Sequence, residues 1–264
     1  MALNSVLIVY FCARLYEINV PLIIPLQIFF TNIAVYNLNK VTDKTEDKIN
    51  RPNQTTKFQK YFIGFIIPAI ICYAITLTSG IINGIAFFFV LLPPLLIGFA
   101  YSVKIFKNVP RLKEIQAVKS LAVTFSLTLA FTVLPALTAT VAPEKIALVF
   151  GYIFIQLFIN VTIFDLIDIP GDKVANIKTI PTYLGKNGTT RFLYIINSLS
   201  LIWLSICLTN NIFTKYLPIA AFGILYNYIL IWYFTKNTHK RFLAEIIVDS
   251  EGILIAAILW LTIR

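Results

Sequence analysis

Apolar runs of about bilayer length, one after another and parted by short basic segments, are the feature that most limits what this chain can become. A hydrocarbon core about 30 Å thick needs about 20 apolar residues per helix. Runs of that kind lie near residues 58–79, 82–102, 118–140, 145–166, 190–209, 213–235 and 246–263. Upstream, residues 3–39 form one apolar stretch broken by Arg14, Glu17 and Pro21, which predicts a hairpin of two helices. Its first helix, 3–16, is short for a span. Nine transmembrane helices are therefore expected, in a single membrane-embedded all-α domain covering residues 1–264. Composition agrees: 58% of the residues are hydrophobic, 13% are charged, and the mean hydropathy is +0.82. A soluble domain is nearer one quarter charged.

The basic residues test that helix count. Segment 40–60 holds six of them, 102–119 five, 167–191 four and 236–245 three, which is 18 of the 22 Lys and Arg residues. Arg14, Lys145, Lys215 and Arg264 fall on the other side. By the positive-inside rule the four rich segments are cytoplasmic, and a wrong helix count would have scrambled the asymmetry. The net charge of +10 is thus a topology signal, and no nucleic-acid partner is expected. Nothing before Arg14 resembles the charged start of a cleaved signal peptide. Cys12, Cys72 and Cys207 lie singly in apolar segments and read as small hydrophobes. His239 is the only histidine, which argues against histidine-based catalysis and His-rich metal sites.

Half of the 12 acidic residues fall in two short clusters, each after an apolar helix and each on the side expected to be cytoplasmic. "NKVTDKTED" (39–47) carries Asp43, Glu46 and Asp47; "FDLIDIPGDK" (164–173) carries Asp165, Asp168 and Asp172. Asn39, Asp43 and Asp47 are spaced i, i+4, i+8, and the second triplet i, i+3, i+7, so a helical backbone lines each set along one face. Pro170 predicts a kink or an early helix end in the second set. Like charges so spaced destabilise a helix, and desolvation at a membrane edge raises the cost. Neighbouring lysines such as Lys44, Lys48 and Lys173 could neutralise one acid. Two triplets on two helices point instead to a hard divalent cation. Mg²⁺ favours a few carboxylates, waters and phosphate oxygens. Ions held between two carboxylate rows would grip a diphosphate and take up the charge that builds on it as an allylic diphosphate ionises.

At these residues the chain resembles the intramembrane prenyltransferases of the UbiA superfamily, whose two signatures are written N-D-x-x-D-x-x-x-D and D-x-x-D-x-x-x-D. The flanks "KINRP" (48–52), "TIPTYLG" (179–185) and "AYS" (100–102) are similar to the family as well. The resemblance implies a ring of nine helices around a cavity open sideways to lipid, and an aromatic lining that would shield a carbocation. It implies Asn39, Asp43, Asp47, Asp165, Asp168 and Asp172 as metal ligands, with Asp43, Asp47, Asp168 and Asp172 as the catalytic carboxylates. Asn39, Lys40, Tyr101, Lys104, Lys107, Arg111 and Lys113 would bind substrate, the last four as a charged lid over the diphosphate.

The implied activity is Mg²⁺-dependent transfer of an isoprenyl group from a prenyl diphosphate to an aromatic, porphyrin-type or lipid acceptor, in the cell membrane and with the acidic loops cytoplasmic. Two rivals share the fold, a membrane terpene cyclase and a non-catalytic binding or transport protein for an anionic lipid. One departure stands out. Lys40 occupies the place of a family aspartate, where it could either pair with Asp43 and empty a metal site or contact the diphosphate itself. Glu46 could then restore a lost carboxylate. "NQTTKF" (53–58) also departs from the family pattern. Asp249 and Glu251 read as interfacial, and "EDKIN" (46–50) faintly echoes "GDKVAN" (171–176).

Overall fold

A computed structural model describes residues 2–42, 44–51, 56, 60–102, 114–115, 118–238 and 241–262. Every regular element among them is helical: α1 (Ala2–Leu15), α2 (Ile23–Thr42), α3 (Lys44–Asn50), α4 (Phe62–Asn83), α5 (Ile85–Ser102), α6 (Val118–Ala136), α7 (Pro143–Ile167), α8 (Ile169–Val174), α9 (Ile180–Thr209), α10 (Leu217–Lys236), α11 (Arg241–Asp249) and α12 (Glu251–Thr262), with one 3₁₀ turn before α10. Each apolar run read from the sequence carries helix. Among the described residues, α4, α6, α7, α9 and the segment ending in α10 are long and apolar enough to cross a membrane by length and composition. α1 and most of α5 are shorter apolar helices.

Two boundaries differ from expectation. The helix expected at 190–209 starts ten residues earlier at Ile180, where Thr179 caps it in a reciprocal capping box with Thr182. It bends at Gly185, whose φ of 66° suits a residue without Cβ. The run at 246–263 is split at Ser250 into α11 and α12, the first of them amphipathic rather than apolar.

Helices consecutive in the chain pack side by side, α2 on α4, α4 on α5, α5 on α6, α6 on α7, α7 on α9, α9 on α10 and α10 on α12. α1 packs on both α2 and α12 and closes the ring. Away from the acidic motifs the interior is filled by large side chains. Tyr152 lies 4.6 Å from the Trp203 ring and edge-on to Phe11 at 6.3 Å. Their polar atoms are satisfied: Tyr152 Oη donates to the Ala220 carbonyl at 3.0 Å and Trp203 Nε1 to that of Leu148 at 2.8 Å. Gly223 leaves room for Tyr152, because a Cβ there would stand 2.5 Å from the phenolic oxygen.

Polar side chains then tie helices together where lipid supplies no hydrophobic drive between them. Gln156 Nε2 donates to Ser200 at 3.2 Å, Asn197 to the Ile224 carbonyl at 3.0 Å, and Asn227 to Gln156. Glu251, expected at the interface, is buried inside the helix bundle. It is 3% exposed, and Asn160 Nδ2 donates to it at 2.6 Å. Other aromatic residues, such as Phe89, Phe125 and Trp232, face outward.

Candidate functional site

A cavity of about 580 Å³ opens between the two acidic segments and is walled by α2, α3, α5, α6, α7, α8 and α11. Helical spacing explains which side chains reach it. On α2, Asn32, Tyr36 and Lys40 stand at i, i+4, i+8, with Asn39 alongside; on α6, Lys119, Val123 and Leu127 do the same. One end is polar and holds Asp47, Asp165, Asp168 and Asp172; the rest is walled by residues such as Ile33, Ile97 and Val161. Among the described lining residues, Tyr36 and Phe164 are the aromatic ones, so the expected aromatic lining is sparse among them.

The second motif is built on a helix break. α7 ends at Ile167, Asp168 sits at the joint with φ −86° and ψ 0°, and Pro170 lies in the first turn of α8. Proline is tolerated there because its missing N–H has no helical partner anyway. Asp165 therefore points from α7 while Asp172 points from α8, and both are almost fully buried, at 3% and 1% exposure. Lys119 lies between them. Its Nζ is 2.8 Å from Asp165 Oδ1 and 3.1 Å from Asp172 Oδ2. Ser120 Oγ donates to the other Asp165 oxygen at 2.5 Å. Asp168 pairs with Arg241 Nη1 from α11.

The first motif faces it. Asp47 on α3 lies 3.5 Å from Lys40 Nζ and 3.9 Å from Arg51 Nε, and the Lys40 ammonium stands 5.1 Å from the centre of the Tyr36 ring. Arg51 Nη2 reaches Glu245 of α11 at 3.2 Å, and that same carboxylate oxygen holds Arg241 Nε at 3.1 Å. Alternating charges thus run Lys40, Asp47, Arg51, Glu245, Arg241, Asp168 across the polar end of the cavity. Burial lowers the Arg241 pKa and Arg51 adds to the effect, while Glu245 raises it again. α3 and α8 are clasped directly. Asn50 Oδ1 accepts the Gly171 N–H at 3.0 Å, and its Nδ2 donates to the Asp168 carbonyl at 3.4 Å. The two stretches whose sequences echo one another are these facing helices.

Asn39, Lys40, Asp47, Asp165, Asp168 and Asp172 all line this one cavity. Asp43, Lys104, Lys107, Arg111 and Lys113 lie outside the described residues, as do the side chains of Tyr101 and Glu46. Among the described residues, the cations on the carboxylates are not the sequence neighbours Lys48 and Lys173. They are Lys40, Arg51, Lys119 and Arg241, two of them from distant helices. Lys119, Ser120, Arg241 and Glu245 carry no motif, and Asn50 appears only inside the flank "KINRP" and the echo "EDKIN". The one available signal was Lys119 in the first turn of α6, where the helix dipole disfavours a cation.

Carboxylate and amide oxygens are the donors here, a hard set that suits Mg²⁺ and not a thiolate-seeking metal. Among the described residues no three acidic, His or Cys side chains converge on one point, since lysine and arginine stand between the carboxylates. The set fits such an ion in chemistry, and seating one requires a side-chain cation to move.

A family model, that of the UbiA prenyltransferase family, matches residues 3–248. No curated protein sequence matches. Solved structures do match in fold. A UbiA homologue from Archaeoglobus fulgidus bound to GPP and Mg²⁺ superposes with a TM-score of 0.67 at 16% identity, over 97% of this chain and 96% of that one. One from Aeropyrum pernix K1 in the apo state gives 0.69 at 15%, over 96% and 97%. A digeranylgeranylglyceryl phosphate synthase gives 0.61 at 15%, over 97% and 92%. With the family model spanning almost the whole sequence, the chain belongs to the UbiA prenyltransferase family.

Proposed function

We propose that this protein transfers an isoprenyl group from a prenyl diphosphate to a hydrophobic acceptor within the membrane, with Mg²⁺ as cofactor. The observation that carries the reading is a single cavity with both carboxylate motifs at one end and an apolar wall beyond. That polarity matches a molecule with a multiply charged head and a hydrocarbon tail. Two further supports are the family and the A. fulgidus homologue, whose structures hold GPP or DMAPP together with Mg²⁺.

In this reading Asn39, Asp47 and Asp168, with Asp43, would hold the ion, while Asp165 and Asp172 line the same end with their charge met by Lys119. When bound, the ion supplies positive charge to the leaving diphosphate. Lys40 adds a further cation at the same end, and Tyr101, Lys104, Lys107, Arg111 and Lys113 complete the head-group contacts. Ile33, Ile97, Val123, Leu127 and Val161 exclude water around the tail. The bond from C1 to the diphosphate oxygen breaks and its electron pair leaves with the diphosphate. An acceptor carbon or oxygen then bonds to C1, and the proton it loses passes to a nearby motif carboxylate. Acceptors of the aromatic, porphyrin-type and lipid-alcohol classes are the candidates, and the motifs face the cytoplasm of the cell membrane.

The test is incubation of the purified protein in lipid with labelled prenyl diphosphates and each acceptor class, with and without Mg²⁺. A Mg²⁺-dependent prenylated product supports the reading. Binding without diphosphate release contradicts it and favours a transport role, and release with a cyclised single-substrate product favours a cyclase.

A further inference from the structure

Five described carboxylates, Asp47, Asp165, Asp168, Asp172 and Glu245, line the polar end, and each carries a side-chain cation, but the pairings differ in how firmly they are set. Lys119 bridges two carboxylates that are almost inaccessible to solvent. Separating charges in such surroundings leaves them unpaired and desolvated, which is strongly unfavourable. Arg241, Asp168 and Glu245 are looser, with side chains 15%, 17% and 27% exposed. They lie on a nine-residue amphipathic helix and on the joint between two others. Water can compensate a rearrangement there. Arg241 also has capacity to spare. Nη1 is spent on Asp168 and Nε on Glu245, while Nη2 makes no hydrogen bond among the described residues. A guanidinium with a free edge presents the fork that matches phosphate oxygens.

We propose that Arg241 is an exchangeable counter-ion. It holds Asp168 while the cavity is empty and moves to the diphosphate when a divalent cation takes the carboxylate. Glu245 is the positioning residue that keeps the guanidinium at the cavity mouth in both states. The exchange conserves charge pairing: the arriving ion replaces Arg241 on Asp168, and the arriving polyanion replaces Asp168 on Arg241. Neither partner alone offers both replacements, so ion and diphosphate bind cooperatively, each tightening the other. Arg51 shares the Glu245 carboxylate, which links the same event to Asp47 and the first motif. The inference rests on the proposed function, because it takes a prenyl diphosphate as the ligand.

The experiment uses the full chain in detergent. Mn²⁺ binding is followed by electron paramagnetic resonance, and binding of a non-ionisable thiolo analogue of geranyl diphosphate by calorimetry. With Arg241→Gln the competing cation is gone. Mn²⁺ alone should then bind about tenfold tighter, roughly 1.4 kcal/mol, and the analogue with Mn²⁺ present about tenfold weaker. Arg241→Lys should return the Mn²⁺ affinity to the wild-type value while the analogue stays weaker, since an ammonium lacks the fork. Glu245→Gln should raise KM for the prenyl diphosphate with kcat retained, which a purely structural residue would not do.

Unchanged Mn²⁺ affinity in Arg241→Gln overturns the inference. If that variant does not fold, Arg241→Lys decides, and wild-type affinity for the analogue overturns it. Failure of the wild-type protein to bind the analogue in Mn²⁺ contradicts instead the function on which the inference rests.

Discussion

At the scale of the residue, the cavity is a problem in charge compensation, and Lys119 carries its heaviest share. Replacing it by methionine removes the ammonium that the buried Asp165 and Asp172 share. Breaking a buried pair in this way costs roughly 3–5 kcal/mol, so a thermal melt of Lys119→Met in detergent should show a large loss, and a variant as stable as the parent would contradict the assignment. Asp168→Asn is expected to behave in the opposite manner. Its side chain is partly exposed, so the fold should survive while turnover falls by about 10²–10³, the loss typical of one preorganised electrostatic contact. The acids themselves were legible, because i, i+3, i+7 spacing after an apolar helix has few uses other than a charged site. Their partners were not. Lys119 pairs with carboxylates 46 and 53 residues downstream and Arg241 with one 73 residues upstream. Such pairings exist only once the helices have packed.

At the scale of the element, the second motif works because it is broken. A continuous helix would have put Asp165 and Asp172 on one face, whereas the α7–α8 joint turns Asp172 back so that one lysine reaches both. Pro170 made a break readable from sequence, but its place at Asp168 was set by the short α8 packing on α3. Gly171 is what lets them approach, since a Cβ there would stand 2.4 Å from Asn50 Nδ2. Gly171→Ala is expected to push Asn50 off both of its hydrogen bonds. Stability should fall by roughly 1–3 kcal/mol and prenyl diphosphate binding with it, and Asn50→Ala should show the same phenotype. Wild-type melting and activity in both variants would show the clasp to be dispensable. The second half of α11 was read as part of the apolar run 246–263, because Arg241 and Glu245, in the first half of the helix, sit just upstream of that run. Only its packing beside α7 reveals an amphipathic helix.

At the scale of the whole molecule, ring order and basic asymmetry together imply that both acidic motifs open to one compartment. The native cysteines are buried, so membrane-impermeant labelling of introduced ones is clean. Cysteines at Asn187 and Lys215, both exposed, are expected to react from opposite sides of the membrane, the first from the cytoplasm; reaction of both from one side would refute the topology. The membrane helices were legible because apolar length and loop charge are set by the bilayer itself, and their ring only through the family resemblance, whereas the cavity's shape and Glu251's burial depend on contacts between distant segments. The central claim is that the facing carboxylate motifs ionise a prenyl diphosphate with Mg²⁺. Its most direct test is release of inorganic diphosphate from geranyl diphosphate by the purified protein, in Mg²⁺ and in excess chelator, for the parent and for Asp168→Asn. Release is predicted in the parent with Mg²⁺, and it should be abolished both by chelator and by the substitution. Equal release by a folded Asp168→Asn protein, or release that ignores the chelator, would contradict the account.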